Sequence, residues 1–380
     1  MNKSDVVIVG GGIIGLAHAY QSVKRGLSVQ LIERDWKAQG ASVRNFGLIW
    51  PIGQEAGPGR ELAMRSRQHW LEVSKEAGFW LNQNGSLHLA YHEDEVQVLQ
   101  EFIAEYESDG DDDDVEWMDV SNIQQRWNVV NPDQLQGGLF SHTECTVNPR
   151  EAVVKLSDWL ESKWGVQMNW GEPVIEIQEG QVRTPRGTYT GKYIIICNGS
   201  DFETLFPEVF EASGLYKCKL QMMRAIAPES TSIGPSLCAG LTLRHYASFK
   251  KCPSLQKLDN RYDQANVLFK KYGIHVLLAQ HEQGELIIGD SHQYGQSLPP
   301  FNQEEIDLLI LEYLKTFTAL KKVKISERWY GIYPKVDGKI YFKQKVRPGV
   351  WIVNGLGGAG MTLSFGLAEE MMEELLSGER

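Results

Sequence analysis

Gly10, Gly12 and Gly15 stand in a Gly-x-Gly-x-x-Gly spacing, after a β-branched run at residues 6–9 and before apolar positions that recur at helical spacing up to Gly26. That order predicts a strand, a tight turn and a helix. The first glycine permits the turn, the second lets the backbone approach a pyrophosphate, and the third lets the helix pack closely. The helix start, with Ile13 and Ile14, then offers free N–H groups and the positive end of a helix dipole. Ala19 and Gly26 continue the pattern, and Glu33 ends a second strand at residues 29–32, where a carboxylate can accept from ribose hydroxyls. Glu33 disfavours a 2′-phosphate by charge repulsion, although Arg34 adjoins it. A dinucleotide is predicted, with NAD and FAD both open.

The far end of the chain separates them. Gly355, Gly357, Gly358 and Gly360, followed by Met361 and Thr362, lie between a predicted strand at residues 350–353 and a last helix to residue 376. A second helix start suits a flavin ring, whose N1 and C2 carbonyl region gains negative charge on reduction. A third polar cluster, Ala41, Ser42, Val43, Arg44, Asn45, Phe46 and Gly47, follows the second strand and can reach phosphate oxygens through Ser42 and Arg44.

The elements that position these residues alternate between two styles. The first strand, helix and strand form one βαβ unit, with parallel pairing and a right-handed crossover. Helices are predicted near residues 60–80, 94–106 and 153–164, with strands at 86–90, 174–177 and 193–197. Residues 216–294 read as short strands (220–227, 275–279, 285–288) with a long polar loop near 250–266, which suggests a mostly antiparallel layer. A helix at 304–320 precedes the return to the first unit. The expected fold class is α/β: a Rossmann-like dinucleotide-binding domain with a second, mostly antiparallel α+β substrate domain. The expected segments are 1–82, 141–215 and 325–380 for the first, and 83–140 and 216–324 for the second.

Composition narrows the classes further. With 380 residues and a net charge of −11, the chain can bury more than one core and offers no basic face to nucleic acid. The acid run at residues 109–114 reads as a solvated loop. Five scattered cysteines without a CxxC pair, and no signal-like or membrane-length apolar stretch, lead to the expectation of a reduced, cytoplasmic protein without a membrane partner. Cys197 ends a buried strand and is read as core rather than as a covalent flavin link. No metal is expected, since the histidines are not paired at ligand spacing.

In four blocks the sequence resembles the D-amino-acid oxidase superfamily, which includes glycine oxidase and sarcosine oxidase. They are residues 6–33, the loop 41–47, residues 193–200 with Asn198, Gly199 and Ser200, and residues 329–338 joined to 355–362. The resemblance implies FAD held by the glycine turns, the 41–47 loop, Val174, Asn198 and Gly199. It also implies hydride transfer from the carbon of a C–N bond to flavin N5, then hydrolysis of the imine, with oxygen or another carrier as electron acceptor. It names no catalytic acid or base.

One position departs from the superfamily pattern. A Trp-x-Gly-Leu-Arg-Pro block, whose arginine pairs with a substrate carboxylate, reads here Trp329-Tyr330-Gly331-Ile332-Tyr333-Pro334-Lys335. Tyr333, a neutral phenol, replaces a bidentate fork, so a substrate anion must be held elsewhere. Candidates are Arg224, Met222, Met223, His245, Tyr246, Phe249, His275, His292, Tyr294 and Lys335. Arg224 is the foremost candidate for an anion contact because an unpaired arginine on an apolar strand is costly, an internal ion pair being its alternative. Residues 219–224 and 289–292, with 43–47, resemble a narrower branch associated with aminoalkylphosphonate breakdown. That likeness implies oxidation of 2-aminoethylphosphonate or its N-methyl form. The alternatives are a glycine, sarcosine or D-amino-acid oxidase, and a 2-hydroxy-acid or glycerol-phosphate dehydrogenase on the same fold. The latter passes electrons to a membrane quinone, and no basic amphipathic segment supports that docking.

Overall fold

Continuous apolar runs at residues 6–9 and 194–196 are buried on both faces, as parallel strands covered from two sides must be. The computed structural model of the chain describes residues 2–109, 114–227, 231–321 and 323–378; most of the acid run lies outside the described residues. The strand Asn2–Val9 pairs in parallel with Val29–Glu33 on one side and with Gly187–Ile196 on the other. Parallel pairing continues outward to Gln167–Trp170 and to Val350–Asn354. On one face pack the helices Ile13–Lys24, Pro58–Ala77, Pro149–Trp164 and Gly360–Ser377 around Leu16, Trp70, Leu156 and Phe365. A smaller apolar cluster with Phe202, Leu205 and Phe210 covers the other face.

The second layer is a mixed sheet with mainly antiparallel pairs. Its long strand Tyr216–Ile226 lies between Glu285–Gly289 and Lys324–Lys335, setting Cys218 opposite Tyr333, and Leu220 opposite Gly331. The last of these strands was expected with the dinucleotide-binding segments; its backbone pairing joins it to the second sheet instead.

Other departures have local causes. The polar stretch 250–266 contains the helix Leu255–Ala265, because Leu255, Leu258 and Tyr262 recur on one face and the latter two are buried. The strand expected at 174–177 is Glu176–Gln178, paired antiparallel with Gln181–Thr184, which leaves Val174 before it. The strand expected from 275 starts at Leu277, so His275 lies just outside it, its backbone exchanging hydrogen bonds with that of Asp290. Among the described residues no helix is long and apolar enough to cross a membrane.

Candidate active site

Three parallel strands end side by side: Asn2–Val9, Gly187–Ile196 and Val350–Asn354. Ligands of open parallel sheets sit beyond such carboxyl ends. Here a cavity of about 770 Å³ opens there and runs between the two sheets.

The cofactor end is built mostly from backbone. Gly10 has φ +112°, and a Cβ on it would collide with the carbonyl oxygen of Cys197. A Cβ at Gly15 would strike the carbonyl oxygen of Gly10, so the helix lies directly on the turn. Ile13–Lys24 and Gly360–Ser377 both lack a side-chain cap and an acidic residue in the first turn. Both therefore aim unneutralised positive ends at the cavity. Ser42 Oγ accepts from Ile13 N at 2.9 Å. Glu33 is pinned by Gly11 N at 2.7 Å and by Asp35 N at 2.9 Å. Asn354 donates to Asn198 Oδ1 at 3.2 Å and to the Gly199 carbonyl at 2.9 Å, tying two strand ends together. A dinucleotide fits this cradle, which Gly12, Gly357, Gly358 and Gly360 line with backbone alone.

Of the positions expected at the cofactor, Val43 of the loop 41–47 does not line the cavity, nor do Gly15 and Gly47; all the others do. The two glycines act one layer back: a Cβ at Gly47 would collide with the Val147 carbonyl. Arg34 is paired with Asp201 at 2.6 Å and more than half exposed. The loop 41–47 is fixed by Asn45, which donates to the Ala41 carbonyl at 2.9 Å, and by Trp329, whose Nε1 donates to the Arg44 carbonyl at 3.1 Å. Cys197 is buried and its thiol is pushed up by burial, in keeping with a core role.

The opposite wall is built from side chains. His245, Tyr246, His275, His292, Tyr333 and Lys335 all line it, as does Met222. Tyr333 is buried, its hydroxyl 3.6 Å from where a Cβ on Gly358 would stand, so the phenol faces the second glycine turn. Burial also pushes the Tyr333 and Tyr246 hydroxyls well above their usual range, leaving neutral phenols.

The remaining candidates lie elsewhere. Arg224 has the strand parity of Leu220 and Met222 but is one step further along, and its guanidinium meets Glu285 and, at 3.1 Å, Glu327. The internal ion pair, not an anion contact, satisfies it. Met223 faces the opposite side of the strand, Phe249 packs on His88 and Phe102, and Tyr294 is half exposed beside Tyr216.

Sequence reasoning gave no place to Asp290, Lys250 or Trp50, which also line the cavity. Asp290 accepts from His275 Nδ1 at 3.1 Å. Its carboxyl is pushed up to about 6, burial opposing the charge more than His292 favours it. Burial holds His275 down at about 3, and lowers His245 and His292 as well. Asp290 belongs to the Gly289-Asp290-Ser291-His292 stretch, the one signal that could have found it. The histidines are not paired at ligand spacing along the sequence, yet the fold brings a ring nitrogen of each of His245, His275 and His292 within 4.8 Å of the others.

Comparison with known proteins agrees with this geometry. A family described as DAO, FAD dependent oxidoreductase, matches residues 5–374. Gamma-glutamylputrescine oxidoreductase of Escherichia coli is 22% identical over 99% of this chain and 84% of its own length. The bifunctional protein ThiO/ThiG of Synechocystis is 26% identical over 87% of this chain, which spans 45% of that longer protein. The crystal structure of glycine oxidase from Bacillus cereus superposes with a TM-score of 0.79 at 19% identity, covering 99% of this chain and 96% of that one.

Proposed function

We propose, from the premise that this chain belongs to the DAO family of FAD-dependent oxidoreductases, that it oxidises the C–N bond of a small amine whose other end carries a phosphonate. FAD, when bound, supplies the acceptor for the hydride that leaves the carbon next to nitrogen. The chain's own work is placement. Glu33, Ser42 and the two glycine turns hold the dinucleotide, while Leu220, Met222 and Trp50 make a dry wall against which a small amine is oriented. The resulting imine hydrolyses in water to an aldehyde.

Tyr333 is the observation that carries the substrate reading. A buried neutral phenol occupies the position where the superfamily pattern has its carboxylate-gripping arginine. Cationic groups remain in the cavity: Lys335, two residues further along the same strand, and Lys250 on the facing segment, with Arg34 and Arg44 among the positions expected at the cofactor. A compact ammonium suits a phosphonate as a point charge, whereas bidentate recognition of a carboxylate calls for the fork that is missing. The relatives named for putrescine-derived and glycine substrates support the C–N chemistry without favouring either anion.

The test is anaerobic mixing of the flavin-loaded enzyme with aminoalkylphosphonates, glycine, sarcosine, D-amino acids and hydroxy acids, following the bleaching of the flavin band. Rapid bleaching by 2-aminoethylphosphonate or its N-methyl form, and not by the amino acids, is the expected result. Bleaching by glycine or sarcosine alone would replace this reading with an amino-acid oxidase.

A further inference from the structure

We propose that His245, His275 and His292 form a binding site for one divalent transition-metal cation of the zinc class, with an open coordination position facing the cavity. The ligands come from three separate places: the end of the helix Leu241–His245, the residue two before the strand Leu277–Gln280, and the residue before the strand Gln293–Gly295. One ring nitrogen of each lies within 4.8 Å of the other two. The cluster lines the same cavity as Tyr333 and Lys335.

The hydrogen bonds decide what these nitrogens can bind. His292 Nδ1 is 2.9 Å from the Gly273 carbonyl, which only accepts, so Nδ1 carries the proton and Nε2 carries a lone pair. His275 Nδ1 donates likewise to Asp290 Oδ1 at 3.1 Å, and its Nε2 is buried with no partner among the described residues. His292 Nε2 and Asp290 Oδ2 then face each other at 3.9 Å as two acceptors with no proton between them. Such an arrangement is costly when empty of positive charge. It repels an anion and suits a cation. A histidine whose far nitrogen donates to a carboxylate or a backbone carbonyl is also the usual outer support of a metal ligand. Both kinds occur here, one on each ring.

His245 completes the set. Neither of its nitrogens has a hydrogen-bond partner among the described residues, and its ring lies parallel to His275 with centroids 4.2 Å apart. Two stacked rings do not point lone pairs at one ion, so binding requires a rotation of His245, the untethered member. Three neutral imidazoles select a borderline cation over magnesium or calcium, which prefer all-oxygen shells.

Three protein ligands leave a fourth position. There an anionic oxygen of the bound amine can coordinate, which would supply the charge that Tyr333 lacks. That role rests on the substrate reading above; cation binding does not.

The test uses untagged, FAD-loaded enzyme dialysed against buffered micromolar zinc, with metal and flavin contents measured together. One zinc per chain is expected. His275→Ala, His292→Ala and the milder His275→Gln should each lower zinc affinity by on the order of a hundredfold while keeping flavin. Cobalt in place of zinc should give ligand-field bands to the red of the flavin absorption, and methylphosphonate should shift them. Wild-type enzyme that holds no more zinc than the flavin-loaded variants overturns the site, and leaves the flavin-bleaching result to decide the substrate. Zinc bound with cobalt bands indifferent to methylphosphonate upholds the site and removes its role as an anion anchor.

Discussion

The two walls of the cavity are made in opposite ways. The cofactor wall is backbone: glycines whose missing Cβ atoms leave room, and helix ends whose N–H groups face inward. The facing wall, where the substrate is proposed to bind, is side chains: His245, His275, His292, Tyr246 and Tyr333, carried by loops and strand ends far apart in the chain. Backbone recognition tolerates no added atom but does not depend on which residues lie nearby. Side-chain recognition tolerates exchange and changes its ligand when one residue changes. The first wall can therefore be shared by a whole family while the second sets what each member oxidises.

This contrast predicts a hierarchy of mutational effects. Gly15→Ala should be the most severe, because its Cβ meets the Gly10 carbonyl, which the strand above cannot release. Overpacking costs of roughly 3 kcal/mol would lower flavin affinity about a hundredfold, so the purified chain should be colourless. A yellow, active Gly15→Ala enzyme would break the claim that this wall is intolerant. Tyr333→Arg is next. It places a guanidinium facing Gly358 and should shift the preference toward carboxylates by about 1.5–3 kcal/mol, the worth of a charged hydrogen bond. Competition between aminophosphonate and glycine in steady-state assays measures that shift, and an unchanged ratio removes Tyr333 as the determinant. Lys335→Met should act less, raising the KM for an anionic amine roughly tenfold with kcat unchanged, as expected when uniform binding is lost. A fall in kcat at constant KM would instead place Lys335 in the reacting geometry.

How much of each wall could be read in the sequence follows from the same difference. Gly10, Gly12 and Gly15 are close in the chain and have a steric reason for their spacing, so strand, turn and helix were legible together. The second glycine turn was legible for the same reason. His245, His275 and His292 are brought together by the pairing of Leu277–Gln280 with Glu285–Gly289 on one side and with Ser236–Ala239 on the other, and by the loops around these strands. No local spacing encodes that meeting. The helix Leu255–Ala265 was hidden differently, its few apolar residues outnumbered by polar ones although they fall on one face. Asp290 was signalled only by the resemblance of its stretch 289–292, because a carboxylate is ordinary in a loop until burial makes it costly.

Arg224 supplies the smallest effect and the sharpest control. Its position on an apolar strand correctly demanded a partner, but strand order does not say whether the partner is a ligand or a neighbour. Glu285 and Glu327 answer that demand, with the arginine side chain 23% exposed. Partly solvated pairs are worth little, so Arg224→Ala should cost roughly 1 kcal/mol and lower Tm by about 2 °C. Flavin content and the KM for the amine should stay at wild-type values, because the side chain is absent from the cavity lining. A KM raised tenfold by Arg224→Ala, at unchanged Tm, would extend the substrate wall along the strand beyond Met222. It would also mean that the ion pair opens when the amine binds.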